Sequence, residues 1–424
     1  MKQFVSKIWN SPSARNVGKL LSANIIAQAI GLLVYPVLTR MYSPEDFALL
    51  NLFTSIASVV ALFATIEYHY AIVLPKEDQK ARSLVHLCLL IASIVFAIAC
   101  FSNLFASSIA KLFKTPDLAH YWWMLPLLVL GMGIWNILNY WYIRCKAFMQ
   151  ISNYQISQSV LSATGKISFG ALGCLNGGLI VASVLASILS LLISIGLAWK
   201  KYLCILLSRS DDVRTVAKEY ANFPKFSLPR ALVNSVGLSL PVWLLTPHFG
   251  LGKVGYLSLA TMAAFVPLNI IARACYQVMY QKVAEKVQRQ EPIQSIILRF
   301  IIFATIIMMV GLAVIYIFVP QLVTFLFGAG WIESAYIIRR LLPYLLLVPV
   351  CGTICFISDV FAKQKIAMWM EAGYVAMMAL ILCLGIHMDN FETTISLYAW
   401  LGFGYLLVQL VWFVSLVFNY HKKL

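Results

Sequence analysis

Charged residues are scarce in this sequence. Only 11% of its 424 residues are Asp, Glu, Lys or Arg, whereas a soluble globular domain carries roughly 25% charged residues. Hydrophobic residues make up 61% of the chain, and its mean hydropathy is +0.85. Because so little solubilising surface is available, the composition excludes an ordinary water-soluble domain and predicts a membrane protein.

Motifs for nucleotide hydrolysis and metal-dependent catalysis are also missing. The sequence has no Walker-type phosphate loop, no HExxH pair and no nucleophile elbow of the GxSxG kind. Its nine cysteines are scattered and form no CxxC pair, so they are interpreted as small apolar residues. We therefore expect a protein that performs no covalent chemistry and binds no cofactor or metal.

Apolar segments of membrane-spanning length are abundant. A helix needs about 20 apolar residues to cross the hydrocarbon core of a bilayer. Twelve such segments can be placed, at residues 17–39, 48–74, 84–110, 121–143, 154–175, 177–199, 228–248, 254–278, 296–319, 335–358, 366–387 and 394–418. The predicted fold is an all-α polytopic membrane protein with about 12 transmembrane helices.

The basic residues alternate between loops in a way that predicts the orientation of the chain. Cytoplasmic loops of membrane proteins are enriched in Lys and Arg. If both termini are cytoplasmic, 24 of the 32 basic residues lie on that side. This topology accounts for most of the net charge of +16, so we expect a multi-pass inner-membrane protein and no nucleic-acid partner.

The longest hydrophilic stretch divides the chain into two halves of six segments. Residues 1–200 form a predicted N-terminal lobe, 201–227 a basic cytoplasmic linker and 228–424 a C-terminal lobe. The halves are weakly repeated, since a Leu-Phe pair at 112–113 is matched in order by one at 326–327. Repeats with an even number of helices insert with the same topology, an arrangement found in transporters. We expect two pseudo-repeated lobes around a central cavity.

Two basic residues fall near the middle of predicted helices. An ionised side chain there costs about 2.5–3.5 kcal/mol on insertion scales and persists where it faces a partner or a watery cavity. Lys166 shares one face of the fifth helix with Gln155, Ser159 and Ser162. Arg273 shares one face of the eighth with Asn269. For these two cations we favour a cavity over a structural role.

Amide side chains form further polar stripes on the first and fourth helices. Gln28 lies on the first helix and Asn136 on the fourth, each with a polar neighbour on its face. The alternative is that such groups only join helices by hydrogen bonds worth about 0.6 kcal/mol each. Glu67 and Asp359 lie nearer the predicted cytoplasmic ends, where they either bind a coupling ion or pair with Lys and Arg.

A set of short motifs recurs in order along nearly the whole chain. They read YPVLTR at 35–40, YSPEDF at 42–47, YAIVLPKED at 70–78, NYWYIR at 139–144, NFPKFSLP at 222–229, GYLSLA at 255–260 and LFGAGW at 326–331. With these motifs the sequence resembles polysaccharide flippases of the Wzx or O-antigen type. That family belongs to the multidrug/oligosaccharidyl-lipid/polysaccharide exporter superfamily.

The resemblance implies a function and a mechanism. It implies alternating access by two rocking lobes that move an undecaprenyl-diphosphate-linked oligosaccharide from the cytoplasmic to the periplasmic leaflet of a bacterial inner membrane. A proton or sodium gradient is the implied drive, and membrane lipids and other polysaccharide assembly proteins are the implied partners. Arg40 and Arg144 match basic positions of the family.

The expected substrate site combines both lines of argument. Cations would attract the diphosphate and amides would bind sugar hydroxyls, which gives Arg40, Arg144, Lys166, Arg273, Gln28, Asn136, Gln155 and Asn269, with Glu67 and Asp359 as ion-coupling candidates. One alternative function is a drug or cation exporter of the same superfamily, which should have an acidic cavity. Another is a membrane polymerase of lipid-linked sugars, which would need an external catalytic loop.

Overall fold

The computed structural model describes residues 12–207 and 213–421, and for residues 12–25 it describes the backbone alone. Part of the predicted linker, 208–212, lies outside these residues. So do five of the basic residues used to predict the topology: Lys2, Lys7, Arg209, Lys422 and Lys423.

Every regular element among the described residues is a helix, which confirms the predicted all-α fold. The long helices are α1 (Pro12–Met41), α2 (Pro44–Phe63), α3 (Asp78–Phe101), α4 (Leu125–Arg144), α5 (Phe148–Ala171), α6 (Leu175–Ala198), α7 (Leu228–Gln288), α8 (Gln294–Phe327), α9 (Ile332–Ile354), α10 (Gln364–His387) and α11 (Phe391–His421). Four short α-helices connect them, at Ala106–Leu112, Pro116–Tyr121, Val213–Glu219 and Ile357–Val360.

The twelve predicted segments map onto these eleven helices because α7 contains two of them. The helix is interrupted at Gly250, whose φ of 81° and ψ of 166° are non-helical and suit a residue without a Cβ atom. Nine helical stretches of the described chain are long and apolar enough to cross a membrane, with α7 counted once. The polar helix α5 is not among them, and the part of α1 whose side chains are described, Ile26–Met41, is a shorter apolar helix. The chain is a multi-pass membrane protein.

The start of α2 shows how one of the sequence motifs folds. Ser43 precedes the helix, and its Oγ accepts a hydrogen bond from the main-chain N–H of Asp46 at 3.3 Å. In return, the Asp46 carboxylate accepts from the Ser43 N–H at 2.9 Å. This reciprocal pair satisfies donors that a helix leaves open at its first turn, and Pro44 needs no donor there. The YSPEDF motif therefore begins a helix.

The chain divides into two compact units, residues 1–242 and 243–424. The predicted domain boundaries at the linker stay a prediction. In the first unit, the rings of Trp135 and Tyr154 stack with centroids 3.4 Å apart. The Tyr142 hydroxyl meets Ser194 Oγ at 3.2 Å. Lipid tails are as apolar as leucine side chains, so the hydrophobic effect does not drive helices together in a bilayer. Helices associate there by packing and hydrogen bonds such as these.

The second unit contains most of α7 and all of α8 to α11. Its core includes Tyr276, whose ring meets that of Phe356 edge-on at 5.7 Å. The Cys351 thiol in α9 donates to the carbonyl oxygen of Leu406 in α11 at 3.4 Å. By contrast, α8 is 34 residues long and only a few of its side chains are buried.

Candidate functional site

Five helices of the first unit surround a cavity of about 350 Å³. Its polar lining consists of Tyr35 from α1, Thr54 and Ser58 from α2, Gln158, Ser159, Ser162 and Lys166 from α5, and Ser183 and Ser187 from α6. We call it the serine cavity. Apolar residues complete the wall, among them Gly31 of α1 and Met132 of α4.

Helix α5 supplies the polar face predicted from the sequence. Ser159, Ser162 and Lys166 are spaced by three and four residues, so they lie on one side of the helix. All three line the serine cavity. Gln155, the fourth member of the predicted stripe, lies outside the lining, and Gln158 takes part instead. The helical repeat of α5 therefore places one cation and two hydroxyl groups on the side that lines the serine cavity.

Four hydroxyl groups of the cavity donate their protons to main-chain carbonyls. Thr54, Ser58 and Ser183 each donate to the carbonyl four residues earlier at 2.8 Å. Ser159 donates across to the Ala27 carbonyl of α1 at 2.9 Å. A hydroxyl that has donated its proton keeps acceptor lone pairs. The serine cavity therefore offers acceptors to a polar ligand.

Among the described residues, Lys166 is the only lysine or arginine that lines the cavity, and none of the described lining residues is a carboxylate. No ion pair joins Lys166 to any described side chain. Its main chain is fixed, since the Tyr42 hydroxyl donates to the Lys166 carbonyl oxygen at 2.7 Å. An unpaired cation at this depth is expensive and is typical of a substrate or ion pathway. The Lys166 ammonium can attract an anionic group, and the hydroxyl oxygens can accept hydrogen bonds from a ligand's own hydroxyls.

The predicted amide residues of the first unit lie near the serine cavity along the chain but do not line it. Gln28 is partly buried in α1, next to the carbonyl of Ala27 that Ser159 uses. Asn136 is partly buried in α4. The side-chain oxygen of Gln155 is buried and accepts no hydrogen bond from the described residues. Since a buried carbonyl normally has a donor, the Gln155 oxygen is an unsatisfied acceptor among the described residues.

Arg144 binds the connector between α2 and α3. Its guanidinium donates to the carbonyls of Pro75 at 2.7 Å and Ile72 at 3.3 Å, and it pairs with Asp78 at 2.8 Å. Arg40 is exposed in the last turn of α1. Their roles in substrate attraction stay predictions, and Arg144 already uses several of its five donors on the protein.

Three predicted residues belong to the second unit. Asn269 and Arg273 are exposed on the part of α7 that follows Gly250. They lie one helical turn apart, as the sequence predicts. Asp359 is exposed in the short helix Ile357–Val360. Nothing in the geometry of the described residues marks them as ligand-binding, so their roles stay predictions.

Glu67 lies in the connector 64–77, outside the spanning helices, and only 3% of its surface is exposed. Burial raises the pKa of its carboxyl to about 7. Next to it, His69 Nδ1 lies 2.7 Å from Thr65 Oγ1, and burial lowers the pKa of His69 to about 4. The His69 ring also meets that of Tyr140 edge-on at 5.1 Å. This connector therefore holds a carboxyl group that titrates near neutral pH.

Sequence reasoning missed most of the hydroxyl groups in the serine cavity. Thr54 and Ser58 on α2, and Ser183 and Ser187 on α6, were not singled out. Each pair is spaced by four residues, which places both members on one face. That spacing was the available signal, but it is weak because Ser and Thr are common in transmembrane helices.

The fold is similar to that of several solved transporters. An inward-facing multidrug resistance MATE family transporter of the MOP superfamily aligns with a TM-score of 0.72 and 17% identity, over 95% of this chain and 98% of its own. The lipid II flippase MurJ, in an inward closed conformation, aligns with a TM-score of 0.74 and 13% identity, over 95% and 91%. Because the identities are below 25%, these similarities show the fold alone.

A third solved transporter is also similar in fold. It is a MOP superfamily transporter from Pyrococcus furiosus, described as having a binding pocket of reverse polarity that suggests a different function. It aligns with a TM-score of 0.56 and 15% identity, over 96% of both chains.

The family follows from the sequence match. No curated protein sequence matches the chain. Residues 37–336, more than two thirds of the chain, match the model of a family described as polysaccharide biosynthesis protein. This confirms the resemblance drawn from the motifs. The chain belongs to the polysaccharide biosynthesis protein family and has the fold of the MOP-superfamily transporters.

Proposed function

We propose that this protein is a flippase for an undecaprenyl-diphosphate-linked oligosaccharide, which it moves from the cytoplasmic to the periplasmic leaflet of a bacterial inner membrane. The observation that carries the proposal is the lone Lys166 in a cavity lined by hydroxyl groups, within a chain of a polysaccharide biosynthesis family. O-antigen or a related surface polysaccharide unit is the proposed cargo.

The physical need for such a cavity comes from the cargo. Each sugar hydroxyl that enters hydrocarbon without a partner costs about 4–8 kcal/mol against an alkane reference. Unassisted movement of an oligosaccharide across the bilayer is therefore negligible. A polar space that opens to each side in turn replaces the hydrogen bonds to water. The serine cavity supplies acceptors of this kind, and the prenyl tail can remain in lipid.

We assign two kinds of role to the predicted residues. The cations Arg40, Arg144, Lys166 and Arg273 attract the diphosphate or acidic sugars. The amides Gln28, Asn136, Gln155 and Asn269 bind sugar hydroxyls. Support is strongest for Lys166, which has no counter-ion among the lining residues, and for Gln155, whose oxygen has no donor among the described residues.

We further propose that an ion gradient drives the movement, with Glu67 or Asp359 as the ion-binding residue. Glu67 has the more suitable surroundings for a proton, because it is buried and its carboxyl pKa is raised to about 7. Asp359 is exposed. A carboxyl with a pKa close to the working pH can take up and release a proton in each cycle.

Export of cationic drugs is the second candidate function, and the MATE name of several structural neighbours is its support. A lone lysine in the serine cavity repels a cation and favours an anion. The polarity of the site therefore favours the lipid-linked diphosphate over a cationic drug.

Reconstitution in liposomes tests the proposed function. Purified protein is inserted into vesicles that contain a fluorescent undecaprenyl-diphosphate glycan, and the fraction of glycan accessible from outside is followed with time. We expect the wild type to equilibrate the glycan between leaflets and Lys166→Ala to slow this strongly. Lys111→Ala is the matched control, since Lys111 is exposed outside the cavity. A wild type that moves no glycan would contradict the proposal.

A further inference from the structure

The second unit contains a polar pocket of about 540 Å³ at one end. Its walls come from the residues after Gly250, from the start of α9 and from the connection between α10 and α11. The lining residues used below are Lys253, Glu333, Tyr336, Arg340, Asn390 and Phe391. These connections are the ones that the charge distribution predicts to face away from the cytoplasm.

Both cations of this pocket are already engaged by the protein. Arg340 forms an ion pair with Glu392 and donates to Ser396 Oγ at 3.2 Å. The Lys253 ammonium lies over the rings of Phe249 and Phe391, at 5.5 and 5.9 Å from their centroids. Because three carboxylates line the pocket against two cations, it does not favour an anion such as a diphosphate.

The carboxylates do not form a metal site either. Glu333, Asp389 and Glu392 all border the pocket. Among the described residues, however, no three His, Cys, Asp or Glu side chains are grouped so that they could hold a metal ion. Glu333 also forms no ion pair with the described residues. Its oxygens are acceptors that an uncharged donor can use.

The remaining groups match a sugar ring. Tyr336 leaves 45% of its surface exposed and presents an aromatic ring at the pocket wall. Asn390 Oδ1 accepts from the Thr393 N–H at 3.0 Å, and that bond does not use the two protons of its amide nitrogen. A sugar has an apolar C–H face that covers an aromatic ring, and hydroxyls that donate to a carboxylate and accept from an amide.

We propose that this pocket binds a sugar residue of the translocated glycan at the end of the second unit that is predicted to face away from the cytoplasm. Tyr336 covers the C–H face of the sugar, Glu333 accepts from its hydroxyls and Asn390 donates to them. The identity of the glycan rests on the proposed function. The pocket itself is separate from the serine cavity, which lies in the first unit.

Glycan binding to the full chain in lipid nanodiscs tests this pocket. The probe is the oligosaccharide released by mild acid from the undecaprenyl-diphosphate intermediates of the producing bacterium, titrated and detected by saturation-transfer NMR. We expect Glu333→Gln to weaken binding roughly tenfold, because a hydrogen bond to a charged acceptor is lost. Tyr336→Ala should weaken it by a similar factor through loss of the aromatic contact.

Tyr280→Ala is the matched control, since Tyr280 is 43% exposed in the same unit and lies outside the pocket. We expect it to bind as the wild type does. Thermal unfolding of each variant checks the fold. Because Glu333→Gln preserves the side-chain volume, it still tests the pocket if Tyr336→Ala is unstable.

The outcomes separate this inference from the proposed function. Wild-type protein that gives no saturation transfer, or Glu333→Gln protein that binds the probe unchanged, would overturn the pocket even if liposome transport is normal. Protein that binds the probe through Tyr336 and Glu333 but moves no lipid-linked glycan would support sugar binding in the pocket. The same result would contradict the proposed flippase function.

Discussion

The Tyr42 hydroxyl donates a 2.7 Å hydrogen bond to the main-chain carbonyl oxygen of Lys166, 124 residues away in sequence. Tyr42 is buried in the turn between α1 and α2, with 3% of its surface exposed. A carbonyl oxygen has two lone pairs, so it can accept this bond and still serve its own helix. The turn is therefore bonded to α5 at Lys166, whose side chain lines the serine cavity.

Replacing Tyr42 by Phe removes this bond and keeps the ring. We expect the protein to lose about 1 kcal/mol of stability, the usual net worth of an intramolecular hydrogen bond. Its Tm in nanodiscs should fall by a few degrees, and glycan transport should slow because α5 is less well fixed. A Tm equal to that of the wild type would show that the bond contributes nothing.

A leucine at Gly31 should block the serine cavity without harming the fold. Gly31 lines the cavity, and a Cβ atom built on it meets no other atom within 4 Å. Leucine also favours a helix over glycine by roughly 0.5–1 kcal/mol. We expect Gly31→Leu to keep or raise the Tm and to reduce liposome transport severalfold.

Gly196→Leu provides the comparison for this variant. Gly196 lies in α6, also has no atom within 4 Å of an added Cβ, and does not line the cavity. Its transport rate should match the wild type. If Gly31→Leu transports as fast as Gly196→Leu, the serine cavity is not on the route of the glycan.

Neutralising Glu67 should stabilise the protein only at higher pH. Burial raises its pKa from 4.5 to about 7, so the charged form is disfavoured in the fold. The destabilisation is absent below pH 4.5, grows as the pH rises to 7 and is complete above that value. We expect Glu67→Gln to raise stability by roughly 3 kcal/mol at pH 8 and by less than about 1 kcal/mol at pH 5. Tm values at both pH values measure this, and an equal change at both would contradict it.

Arg144 allows its contact with the connector to be separated from a role in substrate binding. Arg144→Ala should destabilise the protein by about 1–3 kcal/mol, since the guanidinium bonds two carbonyls and Asp78. Arg144→Lys should not restore the Tm, because an ammonium lacks the planar fork of donors. Asp78→Asn should reproduce part of the loss. Full stability combined with lost glycan binding would instead show a substrate role.

Hydropathy and segment length predicted the helices well, because a bilayer demands apolar stretches of fixed length. The second segment shows the limit. It was predicted to span 48–74, but α2 ends at Phe63. Apolar residues such as Tyr68 and Ile72 continue beyond it because they are buried in the connector. A hydropathy profile cannot separate residues buried in protein from residues facing lipid.

The candidate site was predictable where periodicity and charge coincide. Lys166, Ser159 and Ser162 share a face that the sequence shows directly, and the structure places them in one cavity. The donors of Arg144 are used by carbonyls from a distant segment, which no local pattern reveals. Thr54 was missed because it lies within an apolar stretch of the sequence. Its hydroxyl donates to a carbonyl of its own helix, which no sequence pattern distinguishes.

The length of α8 has a consequence for the membrane around the protein. Its 34 residues extend over about 51 Å, whereas the hydrocarbon layer is about 30 Å thick. Few side chains of α8 are buried in protein, so most of it can face lipid. A helix longer than the hydrocarbon layer is accommodated by tilting or by a locally thicker bilayer. The tilt of α8 therefore depends on bilayer thickness, and lipids with longer acyl chains should reduce it.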